Sequence, residues 1–302
     1  MKIRVYKAPL LEDSKDLVLT NDKLGVFEEF VEGLKDSNFD LTTFYNNSKS
    51  VKYEEDNNID KGRAFSTGAE YELLNNKLRY KRSTVHLLIF HELLHMSSTK
   101  KGKKIVFSGL SQLDPKNDYA FGFGITEAYT SILDERYFGS EEKKEYYVGV
   151  YQVSRSITTL LEELVGQENM EKWYSESDLP SLIEYLSKYF GIDPAIWFID
   201  RVDRIAYCNE GYYNPIMATI WYREAITYLG RALIKKYAKE YYLDDTPLEN
   251  YLECLKIVRN IMDKRIIYPI PFKIIKSRKY TNKEFDRDVE IIENKLIKKY
   301  AQ

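Results

Sequence analysis

The chain has 302 residues, 44% of them hydrophobic and 30% charged, a composition typical of a globular protein with enough chain to bury a sizeable core. Its 45 lysines and arginines against 47 aspartates and glutamates give a formal net charge of −2, which argues against nucleic acid or an anionic membrane as an electrostatic partner. Two cysteines are too few for a disulfide scaffold or a cysteine-based zinc site, and no apolar run approaches the roughly 18 residues of a membrane-spanning helix.

The front of the chain predicts a mixture of strands and helices. Charged and apolar residues interleave at the amino terminus, so Arg4–Leu10 predicts a strand rather than the apolar core of a secretory signal. We therefore expect a cytoplasmic protein with reduced thiols. Asp22 is a suitable N-cap for a helix, Tyr71–Tyr80 predicts a strand or hairpin, and Ser83 or Thr84 caps a further helix.

The back of the chain, from residue 141 onward, has a predominantly helical pattern, with Gly166 as a predicted helix stop. The expected fold class is therefore α+β. A small mixed part over residues 1–140 carries the chemistry described next, and a mostly helical half over residues 141–302 packs against it and completes a cleft.

The segment His91-Glu92-Leu93-Leu94-His95 is the most informative in the sequence. A helix advances about 100° per residue, so the two histidines lie one turn apart on one face and can bind one zinc ion. Glu92 can then act as general base on a water that attacks a carbonyl. All three histidines of the chain fall between residues 86 and 95. His86 lies about 140° around the helix from His91, so we expect it in the core or at a cap.

Two histidines leave a catalytic zinc ion one protein ligand short, and the third must be a carboxylate or a thiolate. The best candidate is Glu127, where glycines lead into a new helix 127 − 95 = 32 residues after the last histidine. That separation allows a loop and a return. Glu210, with Cys208 close by, is the alternative, and another acidic residue or cysteine remains open.

These two motifs together resemble the gluzincin metallopeptidases, the thermolysin-like clan. His91-Glu92-x-x-His95 is followed by Gly-x-Thr-Glu-Ala, similar to the block that holds the third ligand in that family. The resemblance covers Ser83 to Gly139. It implies a zincin-like front part, zinc bound by His91, His95 and Glu127, and Glu92 as the catalytic base.

The chain departs from that family at two positions. Family members carry an aspartate one turn after the glutamate ligand to orient a histidine, and here Ser131 stands there, with Thr130 or Asp134 as substitutes. They also stabilise the oxyanion with a downstream histidine, which this chain lacks. A tyrosine or arginine must then donate that hydrogen bond, and Tyr129 and the pair Tyr212-Tyr213 are the candidates.

The sequence therefore predicts a zinc-dependent hydrolase, specifically a peptidase, with a peptide or protein as its partner and neither nucleic acid nor a membrane. One alternative is an intracellular regulatory protease of narrow specificity. Another is a binding or scaffold protein that keeps the zinc and has lost turnover. Specificity and oligomeric state are left open by the sequence.

Overall fold

A computed structural model describes residues 3–11, 18–59, 68–116, 120–140, 152–209 and 215–240. Within these ranges the chain forms helices and two small sheets, which is an α+β arrangement as expected. The strands all lie before residue 122, and the later described residues are helical. Among the described residues, no helix combines the length and the apolar character needed to cross a membrane.

The front part begins differently from its prediction. Arg4–Leu10 forms no strand, so that expectation was wrong. Instead, the Tyr6 N–H donates to the side-chain oxygen of Gln112 at 2.9 Å, and the Gln112 amide donates to the carbonyl of Arg4. The Gln112 side chain thus pairs with two main-chain groups of this segment, the Tyr6 N–H and the Arg4 carbonyl. The helix near Asp22 begins later than that cap predicts, with Val26 as its N-cap residue, although the Asp22 carboxylate accepts the N–H groups of residues 25–27.

Two helices and a three-stranded sheet follow in the front part. The helices are α1 (Phe27–Gly33) and α2 (Thr42–Ser48), and the strands are β1 (Lys52–Glu55), β2 (Ala69–Glu72) and β3 (Lys77–Tyr80). The order is β1-β3-β2, with β1 parallel and β2 antiparallel to the central strand. The pair β2 and β3 confirms the predicted hairpin, and its turn holds Asn76 at a φ of +48°.

Along the chain, a second sheet lies between the two helices that carry the candidate ligands. These helices are α3 (Val85–Ser98) and α4 (Phe123–Phe138). The sheet between them is an antiparallel meander of short strands, namely β4 (Lys100–Lys101), β5 (Val106–Ser108), β6 (Ser111–Leu113) and β7 (Ala120–Phe121). This meander reverses the chain, so that α4 returns to pack beside α3.

The remaining described elements are helices. They are α5 (Gln152–Val165), α6 (Gln167–Glu176), α7 (Leu179–Phe190), α8 (Ile192–Asn209) and α9 (Pro215–Glu240). Gly166 separates α5 from α6 with a φ of +95°, as predicted for a helix stop. One cluster of buried apolar side chains runs from Phe27 on α1 to Leu233 on α9. Helix α4 lies inside it, in contact with α3, α5 and α8.

Candidate metal centre

Helix α3 supplies two nitrogen ligands from one face. Its residues from Leu88 to Ser98 are all buried, which fits a helix with apolar side chains on every side rather than a single apolar stripe. The Nε2 atoms of His91 and His95 lie 3.2 Å apart and face the same point. Thr84 is the N-cap residue, although its side chain makes no capping hydrogen bond. His86, expected in the core or at the cap, is exposed in the first turn.

Helix α4 brings Glu127 to the two histidines. Its Oε2 lies 3.5 Å from Nε2 of His91, and its Oε1 lies 3.3 Å from Nε2 of His95. All three side chains offer one ligand atom within 4.8 Å of the others, so the group can hold a metal ion. The predicted ligand set is therefore together in space, with an exposed fraction of only 15% for the Glu127 side chain.

The spacing of the three donors fits a small tetrahedral ion. Ligand atoms about 2.0–2.1 Å from such an ion lie about 3.4 Å from one another. The two imidazole nitrogens lie 3.2 Å apart, and those of His91 and His95 lie 3.5 and 3.3 Å from Oε2 and Oε1 of Glu127, respectively. The two imidazole nitrogens are thus at ligand spacing, and each has a different oxygen of the Glu127 carboxylate at a comparable distance.

The ligand charges depend strongly on one another in this buried place. Burial opposes charge on His95, but the carboxylates of Glu127 and Glu92 outweigh it and raise the His95 pKa. Burial would likewise raise the pKa of Glu127, yet the neighbouring His95 and His91 hold it well below its usual range. The ionised carboxylate of Glu127 and the protonated form of His95 thus favour each other, and a metal ion that binds there would displace the proton.

Glu92 lies beside this group and is also buried, with 9% of its surface exposed. Its Oε2 accepts the N–H of Tyr71, on strand β2, at 2.6 Å. Burial raises the pKa of Glu92, Glu127 raises it further, and the two histidines and the Tyr71 N–H oppose the rise. The main chain of β2 thereby orients a carboxylate of raised pKa next to the candidate ligands.

Two of the residues suggested as orienting partners of the ligands, Ser131 and Thr130, donate hydrogen bonds to carbonyls of their own helix α4. The Ser131 hydroxyl donates to the carbonyl of Ala128 at 2.7 Å. Thr130 donates to the carbonyl of Thr126, and its Oγ1 also lies 2.7 Å from the Tyr174 hydroxyl on α6. Asp134 is fully buried on α4.

The tyrosines predicted to serve the oxyanion are not brought to the ligands within the described residues. Tyr129 is two residues after Glu127, hence about 200° around the helix and on its other side. Its ring is fully buried against Tyr174, at a centroid distance of 5.8 Å. Tyr212 and its neighbour Tyr213 lie outside the described residues, as does Glu210, the alternative ligand.

Two contacts at the site, made by the Tyr71 N–H and by Tyr174, were not predicted from the sequence. The Tyr71 N–H belongs to the main chain, so no side-chain type could have signalled it. Tyr174 packs behind α4, where burial raises its phenol pKa and keeps the hydroxyl protonated as a partner for Thr130. Because Tyr174 is one of 26 tyrosines and belongs to no motif, the sequence did not distinguish it from the others.

Comparison of the chain with protein families, with curated proteins and with solved structures finds no match.

Proposed function

We propose that the protein is a zinc-dependent hydrolase, specifically a peptidase of the gluzincin type. The observation that carries this proposal is the buried Glu92 carboxylate beside two histidines and a glutamate at ligand spacing. A site that only joined helices through a metal would have no use for an additional buried carboxylate, whose desolvation is costly.

The donor set favours zinc as the ion. Two imidazole nitrogens suit a borderline-soft cation, and one carboxylate completes the three protein ligands that catalytic zinc sites use, with a fourth position open. His91, His95 and Glu127 would hold the ion. When bound, zinc supplies Lewis acidity, which is the chemistry that hydrolysis of an amide requires.

Glu92 would move the protons in this proposal. With its pKa raised by burial, its carboxylate can take a proton from the attacking water and return it to the leaving amine. The Tyr71 N–H holds one carboxylate oxygen, so β2 fixes the direction in which Glu92 acts. The donor to the oxyanion remains a prediction from the sequence: the buried position of Tyr129 on the other side of α4 removes it as a candidate, which leaves the pair Tyr212-Tyr213.

The test compares Glu92→Gln with Glu70→Gln, a matched change on β2 at a residue that pairs with Arg79. Zinc content is measured by elemental analysis, and turnover by mass spectrometry of a mixed peptide library. We expect about one zinc ion per chain in all three proteins. Glu92→Gln should reduce turnover by about 10²–10⁴-fold, the usual contribution of a general base, and Glu70→Gln should not change it.

Three outcomes separate the alternatives. Wild-type protein that takes up no zinc overturns the proposal as a whole. Zinc uptake without cleavage of the library, but with cleavage of one protein substrate, indicates a narrow regulatory protease. Zinc uptake with no effect of Glu92→Gln in any assay indicates a scaffold that has lost turnover.

A further inference from the structure

The start of α4 has no capping side chain of its own. Its N-cap residue is Gly122, which adopts a φ of +88° and offers no side chain to the free N–H groups of the first turn. Buried N–H groups at a helix end need acceptors, and leaving them without one is costly. The acceptor here comes from elsewhere in the chain.

Asp203 on α8 supplies that acceptor. Its Oδ2 accepts the N–H of Gly122 and its Oδ1 accepts the N–H of Gly124, both at 2.8 Å. The side chain is fully buried, and its partners are 81 and 79 residues away in sequence. A helix N-terminus favours a negative charge, so this carboxylate is compensated by the two N–H groups and by the helix dipole.

The same stretch of α8 touches the α4 start at two further points. A Cβ atom at Gly124 would lie 2.5 Å from the carbonyl oxygen of Val202, so only glycine allows the two backbones to approach this closely. The ring of Phe123 stacks on that of Tyr207 at 5.0 Å. Asp203 and Tyr207 are four residues apart and share one face of α8.

We infer that Asp203 is a positioning residue for the metal centre, which holds Glu127 at ligand distance by fixing the start of α4. This inference rests on the proposed function. Glu127 is three residues after Gly124, about 4.5 Å along the helix axis. A shift of the helix start therefore moves the carboxylate with it, and ligand distances tolerate only about 0.2 Å.

Glu171 on α6 offers a matched comparison at the other end of the same helix. This carboxylate is also fully buried, and it accepts hydrogen bonds from Arg136 at 3.1 Å and from the Tyr137 hydroxyl. Arg136 is nine residues beyond Glu127, which is about 13.5 Å along the axis. A change at Glu171 thus disturbs a buried carboxylate that holds α4, but at the end far from the ligand.

The experiment measures zinc affinity by chelator competition in the full chain, for wild type, Asp203→Asn and Glu171→Gln. Asparagine keeps one acceptor and turns an amide donor toward an N–H group. We expect Asp203→Asn to weaken zinc binding about 10–100-fold, the usual effect of losing a partner that orients a ligand, and Glu171→Gln to leave it within about twofold. The visible spectrum of the Co²⁺-substituted protein should change only in Asp203→Asn.

Each outcome bears on the inference separately from the proposed function. If wild type binds zinc and Asp203→Asn binds it as tightly, the positioning role is overturned and the peptidase proposal stands. If wild type binds no zinc, both are overturned. Gly124→Ala serves if Asp203→Asn does not fold, because it separates α4 from α8 while keeping the carboxylate. It should weaken zinc binding to a similar extent, and unchanged affinity would overturn the inference.

Discussion

Helices α3 and α4 contribute to the same centre by different means. The two histidines of α3 are neighbours through helix geometry alone, since residues four apart share a face. Glu127 comes from a separate helix, α4, whose start is held by the Asp203 carboxylate of α8. The comparison teaches that the histidine pair depends on local helix geometry, whereas the position of Glu127 depends on long-range contacts. Substitutions far from the centre should therefore affect the Glu127 ligand and leave the histidine pair in place.

The largest expected effect tests whether the ligand of α4 is needed at all. Zinc at 1,000 times its dissociation constant should stabilise the wild-type protein by about 4.1 kcal/mol, because the ion binds only the folded chain. Glu127→Ala should abolish most of this gain and leave weak binding by the His91–His95 pair. Thermal unfolding with and without zinc measures it.

Glu210→Ala is the matched variant for that measurement, since Glu210 is the alternative ligand from the sequence. It should keep the full stabilisation by zinc. If Glu210→Ala removed the stabilisation and Glu127→Ala did not, the ligand assignment to α4 would be wrong.

The next effect concerns the end of α4 that lies far from the ligand. Burial would raise the pKa of Glu171, but hydrogen bonds from Tyr137, Asn38 and Gln167 and the charge of Arg136 lower it below the usual value. A lowered pKa means that this carboxylate stabilises the fold above its unfolded pKa, about 4.3, and that the stability is lost as pH falls through the folded value.

We therefore expect Glu171→Gln to cost about 1.5–3 kcal/mol near neutral pH, the range for a hydrogen bond to a charged group, and less in acid. Urea unfolding at pH 7 and pH 3 provides the measurement. If Glu171→Gln lowered the free energy of unfolding equally at pH 7 and pH 3, the charge of Glu171 would contribute nothing to the stability of α4.

The smallest expected effect concerns the hydroxyl of Tyr174, which packs against α4, the helix that carries Glu127. Tyr174→Phe removes the hydrogen bond to Thr130 and should cost about 1 kcal/mol of unfolding free energy. Tyr185→Phe is its control, because the Tyr185 hydroxyl donates to the Leu164 carbonyl at 2.8 Å. Urea unfolding should give similar losses, whereas zinc affinity should fall only in Tyr174→Phe. If zinc affinity fell in both variants, the Tyr174 hydroxyl would have no special role at the metal centre.

The three candidate ligands of the centre could be predicted from the sequence. The spacing of His91 and His95 follows from helix geometry, and the glycines before Glu127 marked the start of a second helix at a distance that allows a return. The α+β class and the stop at Gly166 followed from periodicity in the same way.

The long-range contacts around these ligands could not be predicted, for physical reasons. The Tyr71 N–H that orients Glu92 has no side-chain signature, and Arg4–Leu10 forms no strand but bonds through Arg4 and Tyr6 to the side chain of Gln112. Asp203 does have a sequence signal, because its helical spacing places it on the buried face of α8 with Ile199 and Val202. A carboxylate among apolar positions indicates a buried acceptor, but its partners 79 and 81 residues away are set by the packing of helices.

The confinement of every histidine to α3 gives the protein an internal spectroscopic probe. A sample labelled with ¹⁵N only at histidine would show three imidazole spin systems, all from the ligand helix. The buried pair would report tautomer and metal state, and the signal of the exposed His86 would serve as an internal reference. One NMR spectrum would therefore read ion occupancy directly at the ligating nitrogens, without interference from the rest of the chain.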